Sequence, residues 1–222
     1  MSVRFICDVG SNHNANLGRA NELIYQAKEA GCWGVKFQMF DGSLGKPERE
    51  WLNPDWLPTL SAQAHHYGLQ FGCSVFYENA VDEVKPYVDF YKIASSQVEN
   101  KPLLEACFQT DKPMIISIPS HQAENCAGFA RVATYLYCVP EYPAPLANCH
   151  LHYMLRGFGG YSDHTRSPGA IYSAVFQYRA STVEFHLDLE DGQGWEYHFG
   201  HCWLPEEIKE VIKNAREGFE AD

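Results

Sequence analysis

Eight short β-type runs follow one another along the chain, each succeeded by a helical pattern or a polar connector, and nothing breaks the alternation. They cover residues 4–10, 34–39, 69–75, 90–95, 113–118, 133–139, 159–164 and 181–189. Strands separated by helix-length crossovers pair in parallel, because a parallel neighbour is reached only by a long return over the sheet face. Eight such units in 222 residues predict a single α/β domain, residues 1–222, closed as a (β/α)8 barrel. An open doubly wound sheet is the main alternative, but no GxGxxG follows the first run, so its dinucleotide-binding form lacks support. The connectors at 119–130 and 144–157 are short for crossover helices, so the barrel is expected to be trimmed.

The helical segments carry their own punctuation. In residues 17–31, Leu17, Ala20, Leu23, Ile24 and Ala27 recur at helix spacing and Gly31 marks the stop. Segments 53–68 and 204–218 end on Gly68 and Gly218 in the same way. Pro205 suits the first turn of the last helix, and Glu206 with Glu207 complement its dipole.

Charge narrows the function classes. Seventeen basic against 28 acidic side chains give a net charge of −11, which disfavours non-specific nucleic-acid or anionic-membrane binding. An anionic ligand would need a local basic pocket. No apolar run approaches the roughly 20 residues of a membrane span, and "MSVRFICDVG" lacks the order of a secretion signal. The eight cysteines include no CxxC pair and read as reduced thiols, as in a cytoplasmic enzyme.

In a barrel, chemistry collects at the C-terminal ends of strands and in the loops after them. Those positions hold Asp8, Lys36 and Gln38, Ser74, Lys92 and Ser95, Ser117, Tyr142, Ser162 and His164, and Glu184 and His186. Lys36 and Lys92 lie inside β-type runs, where an ammonium costs several kcal/mol without a partner. A structural salt bridge is one reading. Two such lysines with Ser95 and Ser117 nearby favour a phosphate or carboxylate pocket. Side chains alternate along a strand, so Ser162 and His164 share a face, as do Glu184 and His186. If the seventh and eighth strands are neighbours, His164 and His186 converge on one divalent ion. The other histidines, His65, His66, His121, His150, His152 and His201 among them, read as ordinary core or surface residues. Trp195, in a loop after the last strand, either lines the pocket or packs in a simple turn.

The segments "ICDVGSNHN", "GVKFQ", "YKIAS", "YCVPEYPAP", "GYSDHT" and "VEFHLDL", in this order, resemble the NeuB-type sialic acid synthases. That resemblance implies a barrel enzyme that condenses phosphoenolpyruvate with an aldehyde sugar, giving a 2-keto acid and phosphate. It implies that Lys36, Lys92, Ser95, Ser117 and Ser162 bind phosphoenolpyruvate. His164 and His186 would hold a divalent metal, manganese foremost, with Mg2+ and Co2+ as alternatives. Asp8, Tyr142, Glu184 and Glu196 would surround the acceptor and the reacting carbons.

Departures accompany the likeness. Asp8 stands for a usual Glu and Glu196 for a usual Asp, as though two facing acids had exchanged lengths. Gln97, Tyr137 and Pro140 replace a Glu, a His and an Asn, and "CSVF" and "SIPS" replace Ser-Thr-Pro-Phe and Ser-Thr-Gly-Met. The small antifreeze-like domain of the family is not expected in this chain, so any homodimer would form without a domain swap. The acceptor is expected to differ from N-acetylmannosamine. A metal-dependent hydrolase or isomerase using Asp163 as a further ligand, and a non-catalytic barrel binding a phosphorylated metabolite or a partner, are the other readings.

Overall fold

The computed structural model describes residues 2–40, 45–119 and 133–221; His121 and Cys126 lie outside the described residues. Eight parallel strands close on themselves in chain order. They are β1 (Arg4–Asp8), β2 (Gly34–Met39), β3 (Gln70–Val75), β4 (Phe90–Ile93), β5 (Met114–Pro119), β6 (Ala133–Cys138), β7 (Gly160–Asp163) and β8 (Thr182–His186). The helices are α1 (Leu17–Glu29), α2 (Leu57–His66), α3 (Glu78–Val84), α4 (Lys101–Phe108), α5 (Pro168–Phe176) and α6 (Pro205–Ala221). Between β6 and β7 the chain makes only short 3₁₀ turns at 146–148 and 151–156, the trimmed crossover its length implied.

Several strands stop short of the polar residues assigned to their ends. Ser95 opens a 3₁₀ turn after β4, and His164 follows β7. Gly31 and Gly68 end their helices at positive φ, +86° and +75°. Gly218 does not. Helix α6 runs through it, and the Phe176 ring of α5 lies so close that an added Cβ would stand 2.6 Å from it. There the glycine is a packing residue.

Alternation along each strand divides the interior in two. Outward residues such as Phe5, Val35, Phe37, Phe71, Tyr91, Ile116 and Phe185 join the large core under the helices. Inward, Ile6, Phe90, Ile115 and Leu136 form a separate small cluster, with Trp33 against it. This cluster plugs the barrel beneath a layer of buried polar side chains: Asp8, Lys36, Ser74, Lys92, Ser117, Ser162 and Glu184. The plug needs Gly72, whose Cβ would stand 2.2 Å from the Phe90 ring.

A Gly72→Ala substitution should therefore force the ring off its seat and destabilise the fold by about 1–3 kcal/mol. Denaturant unfolding would register this as a lower midpoint with an unchanged slope.

Candidate active site

Above the plug, the polar layer opens into a cavity of about 460 Å³ at the C-terminal mouth of the barrel. Its wall contains Asp8, Lys36, Lys92, Ser95, Ser117, Tyr142, Ser162, His164, Glu184, His186 and Glu196, the residues that the family resemblance assigned to substrate, metal and reacting carbons. Gln38, Phe40, Lys46, Ser74, Phe76, Pro140, Phe199 and His201 complete much of the rest.

Both lysines are ion-paired. Lys36 donates to Asp8 Oδ2 and to Ser74 Oγ at 2.9 Å, and lies 3.2 Å from Glu184 Oε1. Lys92 Nζ lies 3.3 Å from Glu184 Oε2 and donates to the Ile93 carbonyl at 3.2 Å. The salt-bridge alternative for the lysines is thus present, within the cavity wall. The Lys92 contact is Coulombic, since Glu184 Oε2 is buried without a hydrogen-bond partner. Burial would push both ammonium groups down in pKa. At Lys36 the pull of Asp8 and Glu184 outweighs it and the pKa rises; at Lys92, Glu184 offsets burial only in part and the pKa falls. Glu184 itself, against its burial, is drawn to about 2 by Lys92, Lys36 and His186.

The imidazole of His186 is clamped between the two acids of apparently exchanged length. Its Nδ1 lies 2.8 Å from Glu196 Oε2 and its Nε2 3.5 Å from Asp8 Oδ2. These carboxylates outweigh burial and raise its pKa, while Glu196 is held well below the usual carboxylate range. Glu196 reaches this position because residue 10 is a glycine, where a Cβ would stand 2.3 Å from its carboxylate. The Ser11 N–H then donates to Glu196 Oε1 at 2.9 Å.

His164 is held differently. Its Nδ1 donates to the Val139 carbonyl at 2.7 Å, which leaves Nε2 as the lone-pair nitrogen. Burial and the neighbouring His186 lower its pKa to about 3. The two rings lie 5.5 Å apart between centroids, and the Tyr142 ring lies tilted against His164 with centroids 4.2 Å apart. A bare imidazole nitrogen beside a second imidazole and the Asp8 carboxylate is a donor set suited to a divalent cation.

Some assignments move. Asp163 faces away from the cavity and accepts from Trp203 Nε1 at 3.0 Å, Thr165 N at 3.1 Å and Arg166 N at 3.2 Å, so it braces the turn after β7. Tyr137 belongs to the outer core, where its hydroxyl accepts from His150 N, and Cys73 also points outward. Gln97 accepts from Asn100 Nδ2 and is not part of the cavity wall. Of the departures in described segments, Ser74 and Pro140 remain in the wall beside Asp8 and Glu196. Phe199 fills the place considered for Trp195, which packs edge-on to His198. His201, read from sequence as an ordinary histidine, stands in the wall with its ring 4.6 Å from that of His186. Its neighbour Trp203 pairs with Leu187 beyond the end of β8, a one-bridge strand too short to leave a periodic signal.

A family model described as the NeuB family matches residues 46–222. The N,N'-diacetyllegionaminic acid synthase of Legionella pneumophila is 27% identical over 98% of this chain and 72% of its own length. The N-acetylneuraminate-9-phosphate synthase of Drosophila melanogaster is 27% identical over 94% of this chain and 66% of its own. A crystal structure of the N-acetylneuraminic acid synthetase of Leptospira borgpetersenii in complex with citrate shares the fold, with a TM-score of 0.90 over 100% of this chain and 85% of that one, at 21% identity.

Two outcomes test this electrostatic arrangement. Glu184→Gln should destabilise the barrel by about 3–5 kcal/mol, because it strips both buried lysines of a shared counter-charge; chemical denaturation would measure the loss. His164 has a folded pKa depressed from 6.5 to about 3, so its contribution is complete above pH 6.5 and is lost as the pH falls from 6.5 towards 3. His164→Gln should make stability fall less steeply across that window, read from unfolding midpoints at a series of pH values.

Proposed function

The chain belongs to the NeuB family, and from that premise we propose that its barrel mouth joins phosphoenolpyruvate to an aldehyde acceptor of sugar type. The products are a 2-keto acid and inorganic phosphate. The observation that carries the reading is the unequal neutralisation of the two axial lysines. Lys36 is matched by two carboxylates, whereas Lys92 has one loosely held partner and sits with Ser95, Ser117 and Ser162 in the cavity wall. Ser117 Oγ is buried without a partner, as a hydroxyl reserved for a ligand would be.

In this reading Lys92, Lys36 and the three serines hold the phosphate and carboxylate groups, and their main effect is orientation and charge stabilisation. Among the described residues, three lysines and three carboxylates in the wall cancel, so a multiply charged anion calls for additional positive charge. His164 and His186 would hold a divalent cation, manganese by the family likeness, which when bound supplies that charge and polarises the acceptor's carbonyl. The methylene carbon of phosphoenolpyruvate bonds to the aldehyde carbon, whose oxygen takes up a proton. Water adds to the carbon bearing phosphate, and cleavage of its bond to the phosphate oxygen releases phosphate and leaves the ketone. Glu184 and Glu196 stay ionised at neutral pH, so with Asp8 they act as acceptors toward water and the acceptor's hydroxyls. Tyr142, packed against His164 and half exposed, would cover the acceptor. The changed acceptor-side residues, Asp8, Glu196 and Pro140, support an acceptor other than N-acetylmannosamine.

A screen of aldehydes with phosphoenolpyruvate and Mn2+ should give phosphate release that depends on the aldehyde. Lys92→Ala should reduce it at least about 100-fold in a protein that remains folded. Absence of release across a broad panel, or wild-type turnover in that variant, would refute the synthase reading. Full turnover with N-acetylmannosamine would refute only the altered acceptor.

A further inference from the structure

Behind His186, on the side away from Asp8, four buried side chains of different chemistry meet: His186, Glu196, His201 and Cys202. Each offers one ligand atom, and these atoms all lie within 4.8 Å of one another. Glu196 Oε2 is 2.8 Å from His186 Nδ1 and 3.7 Å from His201 Nε2, and Cys202 Sγ is 3.7 Å from the same His201 nitrogen. A tetrahedral centre with bonds of about 2.0–2.3 Å separates its ligand atoms by about 3.3–3.8 Å. The two longer contacts already have that spacing. The His186–Glu196 pair is closer, as expected when a shared proton holds two groups together.

The group is also braced as a site rather than a chance meeting. One side chain, Asn12, donates from Nδ2 to Cys202 Sγ at 3.4 Å and to the Leu187 carbonyl at 2.8 Å, while its Oδ1 accepts from Glu196 N at 2.7 Å. Ser11 N–H holds the other Glu196 oxygen. The Trp203 N–H donates to the His186 carbonyl at 2.8 Å, so the segment bearing His201 and Cys202 is pinned beside β8. His186, Glu196 and His201 line the cavity, which provides a path of entry.

We propose that His186, Glu196, His201 and Cys202 form a thiol-containing cation site that takes a thiophilic divalent ion such as Zn2+ or Co2+. It lies beyond the His164–His186 pair considered for catalysis and stands independently of the phosphoenolpyruvate reading. Two imidazoles, a carboxylate and a thiolate favour such ions over Mg2+ or Mn2+, whose preferred ligands are oxygens. Asn12 supplies the hydrogen bonds that orient the ligands from outside. Because both groupings draw on one imidazole from opposite nitrogens, an ion in the rear site engages the nitrogen that otherwise faces Glu196.

The test is optical and needs no substrate. Reduced protein titrated with Co2+ should develop a thiolate-to-cobalt charge-transfer band that Zn2+ abolishes and excess Mg2+ leaves in place. Cys202→Ser should lose the band, and His201→Gln should weaken Co2+ binding at least about tenfold, with thermal midpoints of the metal-free proteins confirming that both variants fold. His164→Ala should keep the band while losing phosphate release, which separates this site from the catalytic proposal. No band in the wild type, a band that survives in Cys202→Ser, or a band lost in a folded His164→Ala would overturn the assignment.

Discussion

One buried carboxylate does most to define this barrel. Glu184 projects from β8 towards the axis and stands within 3.2–3.3 Å of ammonium groups sent inward from β2 and β4. A closed sheet lined with short apolar side chains would fill its centre with hydrocarbon throughout. Here the hydrocarbon stops at a plug of Ile6, Phe90, Ile115 and Leu136, and the layer above is ionic. Lysine is long enough to reach the axis from β2 and from β4, and one glutamate on β8 can meet both. Desolvating three charges is tolerable because each is matched, and the mismatch that remains is concentrated on Lys92. The cavity above inherits its polarity from that layer.

Much of this was legible in the sequence because it follows from period. The two-residue period of a strand sets Ser162 with His164 on one face and Glu184 with His186 on another, and the alternation of runs implies the closed parallel sheet. Asp163, between Ser162 and His164, had to face the other way, and its role as a brace for the turn follows from the same rule. Residues lacking that periodic context were harder to place. Gly218 looks like a helix stop in isolation, yet the neighbouring Phe176 ring decides its role. Tyr137 stands where the family has a histidine, but its parity on β6 turns it to the outer core.

His201 illustrates the limit most clearly. Its segment pairs with the end of β8 through a single bridge, so no repeat announces it. The ring arrives beside His186 because Asn12 and Asp188 hold the preceding loop: Asp188 accepts from Gly194 N at 2.7 Å and from Arg19 at 2.5 Å. Such long-range braces between the first and last βα loops leave no local trace. They are visible only once the barrel is closed.

The position of Glu184 in the chain also bears on how the protein is made. A ribosome delivers Asp8, Lys36 and Lys92 long before it delivers the glutamate that links the two lysines. Until β8 emerges, the nascent half-barrel carries an excess of positive charge on the surface that will become its interior, and water must remain there. Premature collapse around a dry centre is thereby discouraged, and sealing of the wall coincides with arrival of the last counter-ion.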